Sequence, residues 1–235
     1  MDLRGRHVVV TGGTGALGAA VVKGLLEAGA VCHLACLDES EAARFRSHEH
    51  PQVRLTVTGS LAEPAAVARL YQGIAPLWAS LHLAGGFAAA PLAETDPETI
   101  RRQIDMNLMS SILCCRAAVT AMASGGGGSG GRIVNVAARA ALEWRGGAGM
   151  VAYAASKAAV AALTAALAEE VAKDGILVNA VAPSIMDTPA NRHAMPKADH
   201  ALWPKVEEVA ATILFLASTE NRVTRGAVVP VYGKS

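Results

Sequence analysis

The sequence predicts an α/β fold: a doubly wound parallel sheet with helices on both faces, in a single domain over residues 1–235. Three observations carry this. Short apolar runs that read as strands alternate with amphipathic stretches that read as helices, an order that favours parallel strands joined by helical crossovers. The chain opens with strand, glycine turn and helix: His7 to Val10, then Thr11-Gly12-Gly13-Thr14-Gly15-Ala16-Leu17-Gly18, then Ala19 to Ala28 ended by Gly29. Hydrophobic residues are 52% and charged ones 17%, so one large core can be buried; with aromatics at 4%, that core must be mostly Ala, Val and Leu.

The remaining elements follow in order. Strands are expected at Val31–Ala35, Val53–Val57, Leu77–Leu83, Arg132–Val136, Ile176–Val181 and Val228–Val231. Glu63–Tyr71 reads as a helix with Pro64 in its first turn, and Asp96-Pro97-Glu98 starts a long one in which Asn107 lies mid-helix. A helix opening near Tyr153 should run to about Lys173, and the last helix should cover Val206–Ala217. Ser124–Gly131 and Ala137–Val151 read as loops, and Pro183–Pro204 as a long irregular substrate loop broken by Pro189 and Pro196.

A net charge of +1 without a basic run offers nothing to nucleic acid or an anionic membrane, and no apolar stretch looks able to span a bilayer. Without a signal-like start, a cytoplasmic protein is expected. Cys32, Cys36, Cys114 and Cys115 lack metal-ligand spacing, so buried thiols are expected and no metal.

Candidate chemistry gathers at two kinds of position. The glycine turn allows a close approach of backbone to a pyrophosphate, stabilised by free amides at the helix start. Asp38, just past the second strand, either holds an adenosine ribose or caps the helix beginning near Glu39. No Arg or Lys immediately follows that strand, which leans toward NADH over NADPH. Ser60-Leu61 falls where a loop could touch adenine, and Ala84-Gly85-Gly86 is a second glycine turn at a strand's carboxyl end. Tyr153 and Lys157, four apart, share a helix face; the lysine charge should lower the phenol from its usual value near ~10, making it a general acid or base. The same spacing also occurs on ordinary surface helices.

Together with Met106-Asn107-Leu108, Arg132–Val136 and Val178–Pro183, these motifs resemble the short-chain dehydrogenase/reductase superfamily over essentially the whole chain. The resemblance implies a Rossmann-type domain binding NAD(P)H, a small-molecule substrate, and a homodimer or homotetramer formed through the helices that carry Asn107 and Tyr153. It implies Tyr153 as proton donor or acceptor, Lys157 as the residue that binds the nicotinamide ribose and tunes Tyr153, and Asn107 as holder of a relay water. Cofactor contacts implied are Gly12, Thr14, Gly15, Ala16, Leu17 and Gly18, then Asp38, Ser60, Leu61, Ala84 and Gly85, with Pro183, Ile185 and Thr188 near the nicotinamide.

Two departures stand out. Ala16 replaces a glycine, and the serine expected after Asn135-Val136 is missing, the chain reading Ala137-Ala138-Arg139-Ala140. A branch of the superfamily, the quinonoid dihydropteridine reductases, also lacks that serine. Ala138–Leu142, Gly149-Met150, Asp187–Arg192, Met195–Asp199 and Trp203 resemble it, whereas Asn107 does not. The reading is an NAD(P)(H)-dependent short-chain oxidoreductase that transfers hydride to or from a small organic substrate, a quinonoid dihydropterin being one candidate; the alternatives are a carbonyl or alcohol oxidoreductase with another substrate and a weakly catalytic nucleotide-binding sensor or scaffold.

Overall fold

The computed structural model describes residues 1–45, 49–74, 76–124 and 130–235. Seven strands form one parallel sheet: β1 (His7–Thr11), β2 (Val31–Cys36), β3 (Val53–Val57), β4 (Leu77–His82), β5 (Gly131–Val136), β6 (Ile176–Pro183) and β7 (Val228–Val231). Their spatial order is β3-β2-β1-β4-β5-β6-β7, so the winding reverses between β1 and β4. That reversal opens a crevice at the carboxyl ends of these two strands.

Successive side chains of a strand point to opposite faces, and both faces here are apolar. Val8 and Val10 of β1 join one core, with Val21 and Leu25 of α1 (Ala16–Glu27) and Val209 and Ile213 of α9 (Val206–Ala217). Val9 joins the other, with Val67 and Leu70 of α3 (Pro64–Tyr71), Cys114 and Cys115 of α5 (Ser110–Ser124), and Ala168 of α7 (Val151–Glu170). All four cysteines are free and buried. Between the remaining elements lie α2 (Glu39–Arg44), α4 (Pro97–Ile104), α6 (Arg139–Leu142) and α8 (Pro189–Ala194).

Several expectations are corrected. Helix α1 starts at Ala16 rather than Ala19, because the glycine turn already supplies its first turn. The long helix from Pro97 is interrupted by a π-helical turn, Asp105–Met109, between α4 and α5. The segment after β5 is not all loop: it holds α6 and a 3-10 turn, Trp144–Gly147. Likewise the irregular stretch after β6 contains α8 and a 3-10 turn, His200–Leu202, each opened by a capping side chain that the proline count obscures. The expected glycine-serine loop lies largely outside the described residues, and Gly131 belongs to β5. Two helical stretches, residues 97–123 and Val151–Glu170, are long and apolar enough to cross a bilayer by length and composition, contrary to expectation. In the fold α5 packs on β4, α7 packs on β6 and α4 packs on α7, with Asn107, Ser156 and Lys157 buried.

Candidate active site

The glycine turn sits at the switch point. Gly12 has φ +64, where L side chains are strained, and a Cβ on it would stand 2.7 Å from the Ala84 amide nitrogen. A Cβ on Gly18 would stand 2.0 Å from the Gly12 carbonyl oxygen. The turns after β1 and β4 are therefore backbone against backbone, tied by Leu83 N–H donating to Thr11 O (3.2 Å) and Ala84 N–H donating to Thr11 Oγ1 (3.2 Å). Gly15 opens α1 and no side chain caps it, so the first-turn amides face outward at the positive end of the helix. These residues fit a dinucleotide: the α1 start offers amides that no side chain caps, and the glycines at 12 and 18 let the turn pack tightly enough to present them.

Beside this turn, three predicted residues converge. A Cβ on Gly85 would lie 2.7 Å from Asn107 Oδ1 and 3.3 Å from Lys157 Nζ. Asn107 is fully buried in the π-helical turn, whose extra residue turns its amide toward the strand end. Its Oδ1 accepts from Gly86 N–H (2.9 Å) while its Nδ2 donates to Gly86 O (3.1 Å) and Ser156 Oγ (3.0 Å). Ser156 in turn donates to Tyr153 O at 2.8 Å. Asn107 thus clamps the loop after β4 onto α7.

Lys157 donates from Nζ to the Val136 carbonyl at 2.8 Å, and burial lowers it to about 8. Tyr153 is half-buried, with the Phe87 ring set edge-on at 4.9 Å, and no hydrogen bond among the described residues uses its hydroxyl. Burial pushes it up to about 12, opposite to the lowering expected from Tyr-x-x-x-Lys. The physical reason is that the dry pocket disfavours both charges, and Lys157 is directed at Val136 rather than at the phenol.

Other predicted residues have different settings. Asp38 caps α2, accepting from Glu41 N–H (2.8 Å) and Ser40 Oγ (2.8 Å). Ser60 is exposed in the turn after β3, where its Oγ accepts from Ala62 N–H (3.3 Å), and Leu61 packs against the second core. Pro183 ends β6, Ile185 is exposed, and Thr188 caps α8 by accepting from Asn191 N–H (3.1 Å). Arg192 pairs with Asp187, and Trp203 is buried with His200 tilted against it at 4.6 Å. Ala137 and Ala138 are both buried at the start of the loop after β5. Sequence reasoning does not reach Glu41, whose carboxylate accepts from Thr14 Oγ1 and from Leu37 N–H. The one available signal is the run Asp38-Glu39-Ser40-Glu41 directly after β2.

A family model described as short chain dehydrogenase matches residues 6–199. The chain belongs to the short chain dehydrogenase family. It is accordingly an NAD(P)-dependent short-chain dehydrogenase/reductase. Its relatives include cis-4-hydroxycyclohexanecarboxylate dehydrogenase of Sinomonas cyclohexanicum, 36% identical over 97% of this chain and 95% of the relative. Galactitol 2-dehydrogenase of Rhizobium johnstonii is 34% identical over 97% and 94%. Among solved structures, a short chain dehydrogenase/reductase family protein superposes with a TM-score of 0.89 at 27% identity, covering 99% of this chain and 98% of that one.

Proposed function

We propose that this family member reduces a conjugated imine in a small heterocycle, of which a quinonoid dihydropterin is the type, with Tyr153 as proton donor. What supports the reading is the run Ala137-Ala138-Arg139-Ala140 after β5, where the resemblance expects a serine hydroxyl to polarise an isolated ketone, beside the approach of Asn107 and Lys157 to Gly85. The serine hydroxyls of these segments donate elsewhere, Ser156 to Tyr153 O and Ser184 to Tyr232 O, while Thr188 Oγ1 accepts from Asn191 N–H at the α8 cap. An imine nitrogen takes a proton more readily than a carbonyl oxygen and can do without the second hydroxyl.

A bound nicotinamide nucleotide supplies the hydride, held by the first-turn amides of α1, by Ala84 and Gly85, and at its ribose by Lys157. The Tyr153 hydroxyl donates one proton to the substrate nitrogen. Asn107 holds the Gly86 loop at a fixed distance from α7 and so keeps the pocket's width constant. Phe87, 62% exposed beside Tyr153, offers an aromatic wall to a planar ring. The segment 183–204 follows β6 at the same end of the sheet, with α8 pinned by Thr188 and Asn191. Small apolar outer faces on α5 and α7 support a homo-oligomer.

The alcohol-oxidising relatives favour a second reading, a cyclic secondary alcohol or its ketone. The test follows NADH and NADPH oxidation with freshly generated quinonoid dihydropterin, and NAD⁺ reduction with cyclic alcohols, for the wild type and Tyr153→Phe. Pterin turnover that collapses in the variant supports the imine reading. Pterin reduction at the uncatalysed rate, with alcohol turnover present, replaces it by the second.

A further inference from the structure

Resting on the nicotinamide-nucleotide reading of the glycine turn, we propose that Glu41 is the acid that receives the adenosine ribose and excludes a 2′-phosphate, making the chain selective for NADH. An acid at the end of the second strand is the usual ribose acceptor in such folds. Here β2 ends in Cys36, a buried thiol, and the next acid, Asp38, is held by the α2 cap and by Ser40.

Glu41 fills the vacant role from the helix side. It stands in the first turn of α2, and its carboxylate folds back over the strand ends. One oxygen takes the Leu37 amide, just past β2, at 2.5 Å; the other takes the hydroxyl of Thr14, inside the glycine turn. One carboxylate therefore bridges the β1 and β2 turns, beside the α1 amides that fit the diphosphate. A ribose 2′,3′-diol presents hydroxyl donors that can take over the Thr14 contact while Leu37 keeps the carboxylate in place.

A 2′-phosphate meets the opposite. It would enter the field of Asp38, Glu39 and Glu41 together, and the Cys36 thiol registers that field: burial first, then these three charges, hold it up at about 11. The basic residue that α2 itself carries, Arg44, lies in its last turn, and among the described residues no ion pair neutralises Glu41.

Direct binding separates this inference from the reading beneath it. NADH and NADPH are titrated into the full chain without substrate, following quenching of protein fluorescence, for the wild type, Glu41→Gln, Glu41→Ala and Asp38→Asn. NADH should bind roughly tenfold or more tightly than NADPH, and Glu41→Ala should weaken NADH by about the same factor without weakening NADPH. Glu41→Gln, which keeps the size and the Leu37 contact, should fall between; Asp38→Asn should move the ratio less. Raising ionic strength should narrow the discrimination. Equal or tighter NADPH binding in the wild type, or a ratio unchanged by Glu41→Ala, overturns the proposal while leaving the nicotinamide reading intact. Binding of neither nucleotide removes both.

Discussion

Trp78 and Tyr153 stand at opposite ends of the same sheet, and the chain treats them in opposite ways. At the amino end of β4, Trp78 lies between two guanidinium groups, Arg6 at 3.8 Å and Arg132 at 4.9 Å from its ring centre. Its indole N–H donates to Ala217 O (2.9 Å), and Arg132 donates to Ser218 O (3.3 Å) and Asn221 O (2.6 Å). The carbonyls at the end of α9 are thereby answered by an indole N–H at Ala217 and a cation at the C-cap Ser218, the latter as the helix dipole favours. At the carboxyl ends, the α1 amides have no capping side chain and the Tyr153 hydroxyl has no partner among the described residues. A closed polar cluster stabilises the fold; an open one keeps its donors for a ligand.

Between the two ends lies a buried polar layer. His82 Nδ1 faces Asn135 Oδ1 at 2.8 Å and its Nε2 faces Ser80 Oγ at 2.8 Å, while Asn135 Nδ2 donates to Thr164 Oγ1 (2.9 Å). Ser80, His82 and Asn135 look like a nucleophile, base and orienting amide, yet all are buried in the core. They join β4, β5 and α7, the elements on which the site is built.

The contrast is broken most directly at Tyr153. Tyr153→Phe should lower kcat by about 10²- to 10⁴-fold while leaving the melting temperature and NADH binding near wild type. A variant that melts early would place Tyr153 with the closed cluster instead. Trp78→Ala should do the reverse, costing about 3 kcal/mol in denaturant unfolding with turnover per folded molecule unchanged.

Acid tests the layer in between. Burial pushes His82 down from 6.5 to about 4, so the folded chain binds its proton later than the unfolded one. The stability it supplies is complete above pH 6.5 and is lost as pH falls toward 4, amounting to about 3 kcal/mol at the lower limit. His33, at the amino end with its ring nitrogen 2.8 Å from that of His7, is also pushed down to about 4, by burial first and then by His7 and Arg54. Because it is only partly buried, its share is smaller. Urea melts of His82→Gln and His33→Gln across this window should flatten the first slope more than the second. The smallest effect is expected for Thr11→Val, which removes the hydroxyl that Ala84 N–H donates to; thermal melts should show a loss of about 1 kcal/mol.

Much of the architecture is legible in local residue order. The glycine turn, the strand-helix alternation, and the limits of α9 and β7 follow from periodicity and from Gly and Pro, because backbone dihedrals respond to near neighbours. The π-helical turn is not legible, since Met106-Asn107-Leu108 carries an ordinary helical pattern; its extra residue is stabilised by Gly86 and Ser156, 21 and 49 positions away in the chain. The direction of the Tyr153 shift is hidden for a related reason. Spacing puts Lys157 on the correct helix face, but burial lowers its pKa and the Val136 carbonyl sets its direction.

Residue types and their order thus define the family's fold, the glycine turn and the Tyr153–Lys157 spacing. Packing defines which acid bends over the strand ends, which carbonyl holds Lys157, and which end of the sheet is closed. The division has one cause. Helix and strand formation depends on short-range sterics and side-chain period, whereas the partner of a charged or hydrogen-bonding side chain is chosen by surfaces that meet only after the sheet has assembled.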